Sequence, residues 1–268
     1  MQAESPSPAP SAARPPVSVC VPFLGSREEA TELLETLAGL ETRDGDELIV
    51  ADNTPDGIVA ELANDYGVRA VRATGKRSSY YGRNMAADAA ANDWFLFFDS
   101  DCRPRSDILD RYFSEPIPDD VAEVAGAVLP LMRTQRLMAR YAASRGGNKQ
   151  YMHLRNPFKP FGVTANLLVR RRAWEDVGGF ADGIRSGGDA DFGWRIQDAG
   201  WLVAYREEAH VHHFLRERLR PYLRVHARYM SGRRWVTLRH PESGMGPGPQ
   251  RLFRAIAGTI IWPLRGQL

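Results

Sequence analysis

The chain has 268 residues, 43% of them hydrophobic, so it is long enough to bury one substantial core. Its formal net charge is only +2, and a charge this small argues against nucleic acid as a partner. Its two cysteines, Cys20 and Cys102, lack the paired spacing of a zinc site or a disulfide framework. This cysteine usage predicts a reducing, cytoplasmic compartment.

The two ends of the chain differ in composition from its middle. Residues 1–16 are rich in Pro, Ser and Ala and have no periodicity, which predicts a disordered tail and not a secretory signal. Residues 255–264 are apolar but too few to span a bilayer, so they suit an interfacial anchor or a tail that packs on the core. We expect a soluble chain that makes at most peripheral contact with the inner face of a membrane.

Apolar runs alternate with amphipathic segments through the first half. The runs predict strands at 17–22, 47–51 and 68–71 and a further strand from Trp94, and apolar residues at helical spacing predict helices at 27–40, 58–66 and 83–91. Ser26 is the predicted N-cap of the first helix. Strands that alternate with helices predict an α/β fold with a mostly parallel, doubly wound sheet. The usual phosphate loops are missing from the sequence, since it has neither a complete P-loop nor a Gly-x-Gly-x-x-Gly after the first strand.

The apolar run that begins at Trp94 ends in Asp99-Ser100-Asp101. Side chains two residues apart on a strand point to the same face, so both carboxylates are expected on one side of its carboxyl end, where open α/β sheets bind ligands. Two neighbouring carboxylates repel each other unless a cation lies between or beside them, and oxygen ligands suit Mg or Mn. The pattern predicts a divalent-metal site for a phosphate-bearing ligand. The alternative is that Asp-Ser-Asp ends the strand and caps a helix.

Two more residues in this half have two possible roles each. Asp52 ends the second strand at the same sheet edge, where its carboxylate can accept a hydrogen bond from a base or ribose, or can close an Asx-turn. Arg83 opens a predicted helix, and its guanidinium can reach a base or diphosphate, or can be exposed in the first helical turn. The residue types alone leave both alternatives open.

The second half carries two further candidate groups. Strands are predicted at 121–128, 161–170, 201–205 and 209–213, and helices at 133–145, 171–177 and 189–200. Asp189 starts the last of these helices, where the helix dipole favours an ionised carboxylate that can act as general base toward an acceptor hydroxyl. N-capping of that helix is the alternative. His212 and His213 follow a strand and can complete a carboxylate metal site, or be surface histidines.

Arginines crowd the segment after the histidines. The sequence predicts that they line a helical region, where they can hold a diphosphate, a lipid phosphate or an anionic membrane, or form a solvated helix face: Arg216, Arg218, Arg220, Arg224, Arg228, Arg233 and Arg234.

Taken in order, these segments resemble the inverting nucleotide-sugar glycosyltransferases of family 2, which have the A-type (GT-A) fold. The resemblance covers residues 17–235. It rests on Val19-Cys20-Val21-Pro22, Glu47-Leu48-Ile49-Val50-Ala51-Asp52-Asn53, Gly82-Arg83-Asn84, Asp99-Ser100-Asp101, Val177-Gly178-Gly179-Phe180, Gly188-Asp189-Ala190-Asp191 and the terminal histidines. It implies a single Rossmann-like, mostly parallel twisted sheet flanked by helices, with an Arg-rich helical C-terminal extension. The implied division is a catalytic domain at 17–235, with a nucleotide-binding half at 17–116 and an acceptor half at 117–213, and a C-terminal tail at 236–268.

The resemblance also implies roles for individual residues. Contacts to the nucleotide sugar are implied for Pro22, Asp52, Arg83, Asp99 and Asp101, and contacts to the acceptor for Asn166 and Asp191. Asp189 is the implied catalytic base. The implied ligands of a Mn²⁺ or Mg²⁺ ion are Asp99, Asp101 and His213 or His212. The implied reaction is one in-line displacement from a nucleotide-diphosphate sugar to a glycan, lipid-linked or small-molecule acceptor, in cell-envelope polysaccharide, glycolipid or secondary-metabolite glycosylation.

The sequence departs from the family pattern at three places. Family members often carry Glu before the catalytic Asp, where this chain has Gly188, and small residues before Gly82-Arg83-Asn84, where it has Tyr80-Tyr81. The second strand ends in Asp-Asn and not in the frequent Asp-Asp.

One alternative function is a sugar nucleotidylyltransferase, which should carry a glycine-rich basic loop where Phe23-Leu24-Gly25-Ser26-Arg27 stands. The other is an inactive nucleotide-sugar-binding protein, which Gly188 leaves open.

Overall fold

The computed structural model describes residues 14–144 and 150–244. Within these residues, eight strands form one sheet. The strands are β1 Ser18–Phe23, β2 Glu47–Asp52, β3 Arg69–Arg72, β4 Trp94–Phe98, β5 Cys102–Pro104, β6 Val121–Leu131, β7 Asn166–Arg170 and β8 Leu202–Phe214. The α-helices of this part are α1 Arg27–Ala38, α2 Ile58–Leu62, α3 Ser79–Ala89, α4 Ile108–Tyr112, α5 Leu137–Ser144, α6 Gln150–Leu154, α7 Arg171–Asp176, α8 Gly188–Asp198 and α9 Leu219–Arg239. Short 3₁₀ turns cover Ala63–Tyr66 and Pro241–Ser243.

The strand order in the sheet is β3-β2-β1-β4-β7-β6-β8-β5. The first four strands of this order are parallel, and β6 is parallel to β8, so four of the seven pairings are parallel. The antiparallel pairings are those of β7 with β4 and β6, and of β5 with β8. The predicted α/β fold with a mostly parallel sheet flanked by helices is confirmed, and the antiparallel pairings all involve β7 or β5.

The central strand β4 is buried along its whole length. Leu96 and Phe98 pack into the core layer that contains Leu33 of α1. Phe95 and Phe97 face the opposite layer and pack with residues that follow β7 and lie in α8. A strand that is apolar on both faces requires a layer on each side of the sheet, which is why helices cover both faces.

Two helices before β4 differ in how they begin. Ser26 caps α1, and a reciprocal bond from its backbone N–H to the Glu29 side chain completes a capping box. Helix α3 begins at Ser79, four residues before the predicted start, because Tyr80 is buried against the core and extends the apolar face. Arg83 therefore lies in the second turn of α3 and is buried, not exposed in the first turn.

The structure corrects the predicted N-terminal tail at its last residues. Residues 1–13 lie outside the described residues, but Arg14 is buried. Its guanidinium lies 2.6 Å from a carboxylate oxygen of Asp46 and 2.7 Å from one of Asp110. Two carboxylates that neutralise a buried guanidinium fix the chain at this point, so the prediction of disorder fails for Arg14.

The predicted domain boundary at 235 falls inside the packed helix α9. Val236 is buried, and Gly232 lies so close to Ser186 that a Cβ on Gly232 would meet its backbone. The helix ends beside Asp191, whose carboxylate binds Arg239 and His240. The packed structure therefore continues beyond 235. Residues 245–268, including the apolar segment 255–264, lie outside the described residues.

One buried carboxyl in the sheet has incomplete hydrogen bonding. Glu123 of β6 is fully buried, and one of its oxygens accepts a 3.3 Å bond from the N–H of Gly162. Its other oxygen has no hydrogen-bond partner among the described residues. Burial, with a smaller contribution from the charge of Asp189, raises the pKa of Glu123 to about 8.

This pKa makes stability depend on pH with a definite sign. Between about pH 5 and pH 8 the unfolded chain loses the Glu123 proton while the folded chain keeps it, so the free energy of unfolding falls as pH rises. We expect Glu123→Gln to match the wild type at pH 5 and to exceed it by on the order of a few kcal/mol at pH 8.5. Urea unfolding followed by Trp fluorescence measures this, with exposed Glu35→Gln as control. A pH dependence identical in wild type and Glu123→Gln would contradict it.

Candidate active site

A turn after β4 places the Asp-x-Asp carboxylates beside β8. The N–H of Cys102 donates to the carbonyl of Asp99 at 2.9 Å, and β5 then pairs with β8 so that Cys102 lies opposite His213. Nε2 of His213 lies 3.3 Å from an Asp101 oxygen and 3.9 Å from an Asp99 oxygen. Asp99 and Asp101 thus meet at one imidazole because of a turn, and not because they alternate along a strand as expected.

Cationic side chains from two other segments neutralise these carboxylates. Arg83 of α3 forms an ion pair with Asp99, and Nη2 of Arg216, just before α9, lies 2.7 Å from Asp101. Burial by itself would raise the pKa of Asp101, but the nearby His213 and Arg216 outweigh burial and hold that pKa well below its usual range. Asp101 is therefore ionised at neutral pH.

The structure separates the two candidate histidines. Adjacent residues on a strand point to opposite faces, and His213 faces the carboxylates. The ring of His212 instead lies 5.5 Å from the ring of His210. His213 is the histidine that lies at the acidic cluster, and His212 is not part of it.

The donor atoms of this cluster fit a hard divalent cation. One ligand atom each from Asp101, Cys102 and His213 lie within 4.8 Å of one another. The Cys102 thiol is buried, and burial, followed by the charges of Asp99 and Asp101, raises its pKa well above the usual value, so it stays protonated and is a poor ligand. The remaining carboxylates and imidazole suit Mn²⁺ or Mg²⁺ more than a thiolate-binding metal.

Asp189 lies in the first turn of α8 at the same edge of the sheet. The hydroxyl of Thr164, in the loop before β7, donates to its carboxylate at 2.7 Å. Burial, with a smaller contribution from Asp99, raises the pKa of Asp189, while Arg83 and Thr164 lower it by less. Asn166, two residues after Thr164, pairs with Phe98, the residue before Asp99, so the bond from Thr164 holds Asp189 beside the acidic cluster.

The carboxylate of Asp52 forms the predicted Asx-turn. It is fully buried, and its oxygens accept bonds from the N–H and hydroxyl of Thr54 at 2.9 and 2.6 Å, from the N–H of Val59 at 3.1 Å, and from Arg72 at 3.2 Å. With both oxygens occupied, Asp52 has no group free for a nucleotide, so the predicted direct contact does not fit. Pro22 is partly buried and packs against Gly82 of α3.

The predicted acceptor residue Asn166 is fully buried and fully bonded. Its amide donates to the carbonyls of Ala127 and Ala209 at 3.0 and 2.7 Å, and its oxygen accepts from the Tyr112 hydroxyl at 2.7 Å. The side chain therefore joins β7 to β6 and β8, and it has no free group with which to contact an acceptor.

The second predicted acceptor residue, Asp191, is also fully buried. Its carboxylate oxygens lie 3.0 Å from Arg195, 2.6 Å from Arg239 and 2.9 Å from Nε2 of His240. Truncation of a buried carboxylate held by this many partners is expected to destabilise the packing of α9 on α8. Asp191 therefore contributes to the packing of α9 on α8.

Reasoning from the sequence missed one residue at the site, Thr164, and named a second, Arg216, only as one of several arginines that can hold a diphosphate. Thr164 lies in an apolar stretch that carries no motif, and Arg216 is one of seven arginines in a short segment with no feature that singles it out. Their roles follow from long-range contacts, to Asp189 and Asp101 respectively.

Comparison with known families identifies the class of the protein. The model of the family described as Glycosyl transferase family 2 matches residues 18–178, which is more than half of the chain. The chain therefore belongs to glycosyl transferase family 2, as the resemblance predicted.

Named relatives agree with this family. The chain is 28% identical over 236 residues to a pre-mycofactocin glycosyltransferase of Mycobacterium tuberculosis, covering 84% of this chain and 48% of the relative. It is 27% identical over 205 residues to glycosyltransferase AglE of Haloferax volcanii, covering 72% of this chain and 65% of that protein. The chain thus spans about half the length of the mycobacterial relative.

Solved structures with a similar fold confirm the GT-A architecture. One is the mannosyltransferase PcManGT from Pyrobaculum calidifontis in complex with GDP-Man and Mn²⁺, with a TM-score of 0.63 and 17% identity over 96% of this chain and 84% of that one. Another is S. aureus TarS 1–349, with a TM-score of 0.57 and 17% identity over 83% of this chain and 64% of that one.

Proposed function

We propose that this chain transfers a sugar from a nucleotide-diphosphate sugar to an acceptor hydroxyl, with inversion at the anomeric carbon and with a divalent cation. The observation that carries the proposal is the juxtaposition of Asp189 with the cluster of Asp99, Asp101 and His213 at one sheet edge. A proton acceptor beside a phosphate-binding charge cluster is what a single displacement requires. Family membership and the PcManGT complex with GDP-Man and Mn²⁺ support the same choice.

Asp189 is the group we assign as general base. Its partial burial raises the pKa of its carboxyl, which brings that pKa closer to neutral pH. A general base is most effective when its pKa lies near the pH at which the enzyme works. The bond from Thr164 fixes the orientation of the carboxylate. In the step, the acceptor O–H bond breaks as its proton moves to Asp189, and the acceptor oxygen bonds to the anomeric carbon. The bond from that carbon to phosphate breaks, and its electron pair leaves with the nucleoside diphosphate.

The opposite side of the reacting carbon needs positive charge. Asp101 and His213, with Asp99, are the residues that would hold Mn²⁺ or Mg²⁺, which would neutralise charge that develops on the leaving diphosphate. Arg216 is 43% exposed and bound to Asp101 through one nitrogen, so its guanidinium is accessible to a phosphate. Arg83 is buried and holds Asp99 in place from α3. Its Nε is buried and has no hydrogen-bond partner among the described residues.

The acceptor side is assigned to α6 and α9 in place of Asn166 and Asp191. The ring of His153 of α6 lies 5.0 Å from that of Phe161, in the segment that leads to Thr164 and so to the base. Burial lowers the pKa of His153 and raises that of Tyr229 of α9, and the charge of Asp189 makes a smaller contribution to both. Tyr229 is half-exposed. We assign to these side chains the contact with a glycan, lipid-linked or small-molecule acceptor.

Helix α9 also carries the membrane contact that we propose. It contains six arginines and no acidic residue, and three of its exposed apolar residues, Leu219, Leu223 and Met230, fall on one face. Exposed apolar and basic groups on one helix suit an anionic bilayer surface. None of the helices in the described part of the chain is long and apolar enough to cross a bilayer. A cytoplasmic position at the inner face of a membrane belongs to the same proposal.

The function is tested with a panel of nucleotide-diphosphate sugars, with and without Mn²⁺ or Mg²⁺. We expect metal-dependent release of nucleoside diphosphate from one class of donor, with product of inverted configuration.

For Asp189→Asn we expect donor affinity within about twofold of wild type and transfer lowered at least ~10²-fold, because only the base is removed. Asp198→Asn, an exposed change on the same helix, is the control. Donor binding without turnover in the wild type would show an inactive binding protein, and unchanged transfer by Asp189→Asn would remove it as base.

The membrane contact is tested by flotation of the full chain with vesicles. We expect binding to vesicles that contain phosphatidylserine, little binding to pure phosphatidylcholine, and at least about fivefold weaker binding for Leu223→Glu, which places a charge on the apolar face of α9. Leu202→Glu, at an exposed apolar position on β8, should bind as the wild type does. Equal binding by Leu223→Glu and Leu202→Glu would exclude α9 as the contact.

A further inference from the structure

Two departures from the family pattern, far apart in sequence, meet in the structure. A Cβ built on Gly188 would lie 2.7 to 2.9 Å from Cζ, Cε2 and Cε1 of Tyr80. Those distances are shorter than any packing contact allows, so Tyr80 occupies the space that a side chain at 188 would need. Tyr80 is 4% exposed, and its ring lies 5.9 Å from that of Phe180, which holds it in place.

Backbone conformation does not explain the glycine at 188. The preceding Gly187 has a φ of +90°, in the left-handed region that favours glycine, but Gly188 is not among the residues with positive φ. The close approach of Tyr80 is therefore the physical reason that this position excludes a side chain.

The hydroxyl end of Tyr80 also faces the start of α8. Gly187 is the N-cap of this helix and has no side chain with which to cap it. The first N–H groups of a helix lack partners within the helix. A Cβ on Gly188 would lie 2.7 Å from Cζ of Tyr80, the ring carbon that carries the hydroxyl, so the phenol packs against the start of α8. Burial raises the pKa of the Tyr80 hydroxyl, and the N–H groups of Gly188 and Asp189 lower that pKa by less. A side chain of α3 thus lies where α8 has no N-cap side chain.

We propose that Tyr80 is a positioning residue for Asp189. Its ring fills the space above Gly188, and its oxygen engages the free N–H groups of the first turn of α8. Those N–H groups are then not available to the Asp189 carboxylate, which keeps its bond from Thr164. The guanidinium of Arg83 lies 5.5 Å from the centre of the Tyr80 ring, so one residue links the Asp99 side of the site to the base. The inference rests on the proposed role of Asp189.

The first test removes only the phenol oxygen. We expect Tyr80→Phe to lower kcat about tenfold with the donor KM within about twofold, because the loss falls on the base and not on donor binding. The released N–H groups turn to the Asp189 carboxylate, so the acid limb of the kcat pH profile moves to lower pH. The other titratable or charged groups that act on Asp189 are unchanged in this variant: Arg83, Asp99, Glu123, His153 and Tyr229. Tyr66→Phe, which removes a phenol oxygen elsewhere, is the control.

The second test measures the steric coupling and needs no activity. We expect Gly188→Ala to lower Tm in the native background and to lower it much less in a Tyr80→Ala background, where the space is vacant. Equal losses of Tm in both backgrounds would overturn the packing argument. An unchanged kcat and pH profile in Tyr80→Phe would overturn the positioning role. If Gly188→Ala lowers Tm less in the Tyr80→Ala background but the wild type has no transferase activity, the result counts against the proposed function. If Tyr80→Ala does not fold, the kcat and pH profile of Tyr80→Phe decide the proposal.

Discussion

The site depends on the compensation of negative charge at one edge of the sheet. Asp99, Asp101 and Asp189 are carboxylates at or beside the cleft, and charges of one sign held this close destabilise the folded chain unless cations lie among them. Arg83 and Arg216 supply that compensation from two separate segments, and the imidazole of His213 lies against the same carboxylates. Because the three side chains come from different elements, the charge cluster forms only when α3, the end of β8 and the segment before α9 are all in place.

The scaffold around this edge is held by polar groups that the chemistry does not use. Asp191, buried among cationic partners, ties the end of α9 to α8, and Asn166 ties three strands together. Gly187 and Gly232 let α9 approach the loop that precedes α8. These contacts fix the helix that carries Asp189. Asp191 and Asn166, which lie near the reactive groups, therefore stabilise the packing around them.

The sequence was informative where the signal is local. The apolar run of β4 and the N-cap at Ser26 are local patterns, and the structure confirms both. Strand β5 was missed because three residues form a strand only when β8 is present to pair with them. The role of Asp52 could not be read from residue type, because a buried turn carboxylate and a ligand-binding one look alike until the partners of its oxygens are known. Arg216 could not be distinguished from the neighbouring arginines either, because only its contact with Asp101 in the folded chain sets it apart.

The central claim is that the acidic cluster with His213 holds a divalent cation, and manganese EPR titration of the full chain with Mn²⁺ alone tests it most directly. The adjacent histidines provide a matched pair, since one faces the carboxylates and the other faces away. We expect His213→Gln and Asp101→Asn to weaken Mn²⁺ binding about tenfold or more, and His212→Gln to bind Mn²⁺ as the wild type does. Equal affinity in all three variants, or stronger loss in His212→Gln than in His213→Gln, would contradict it.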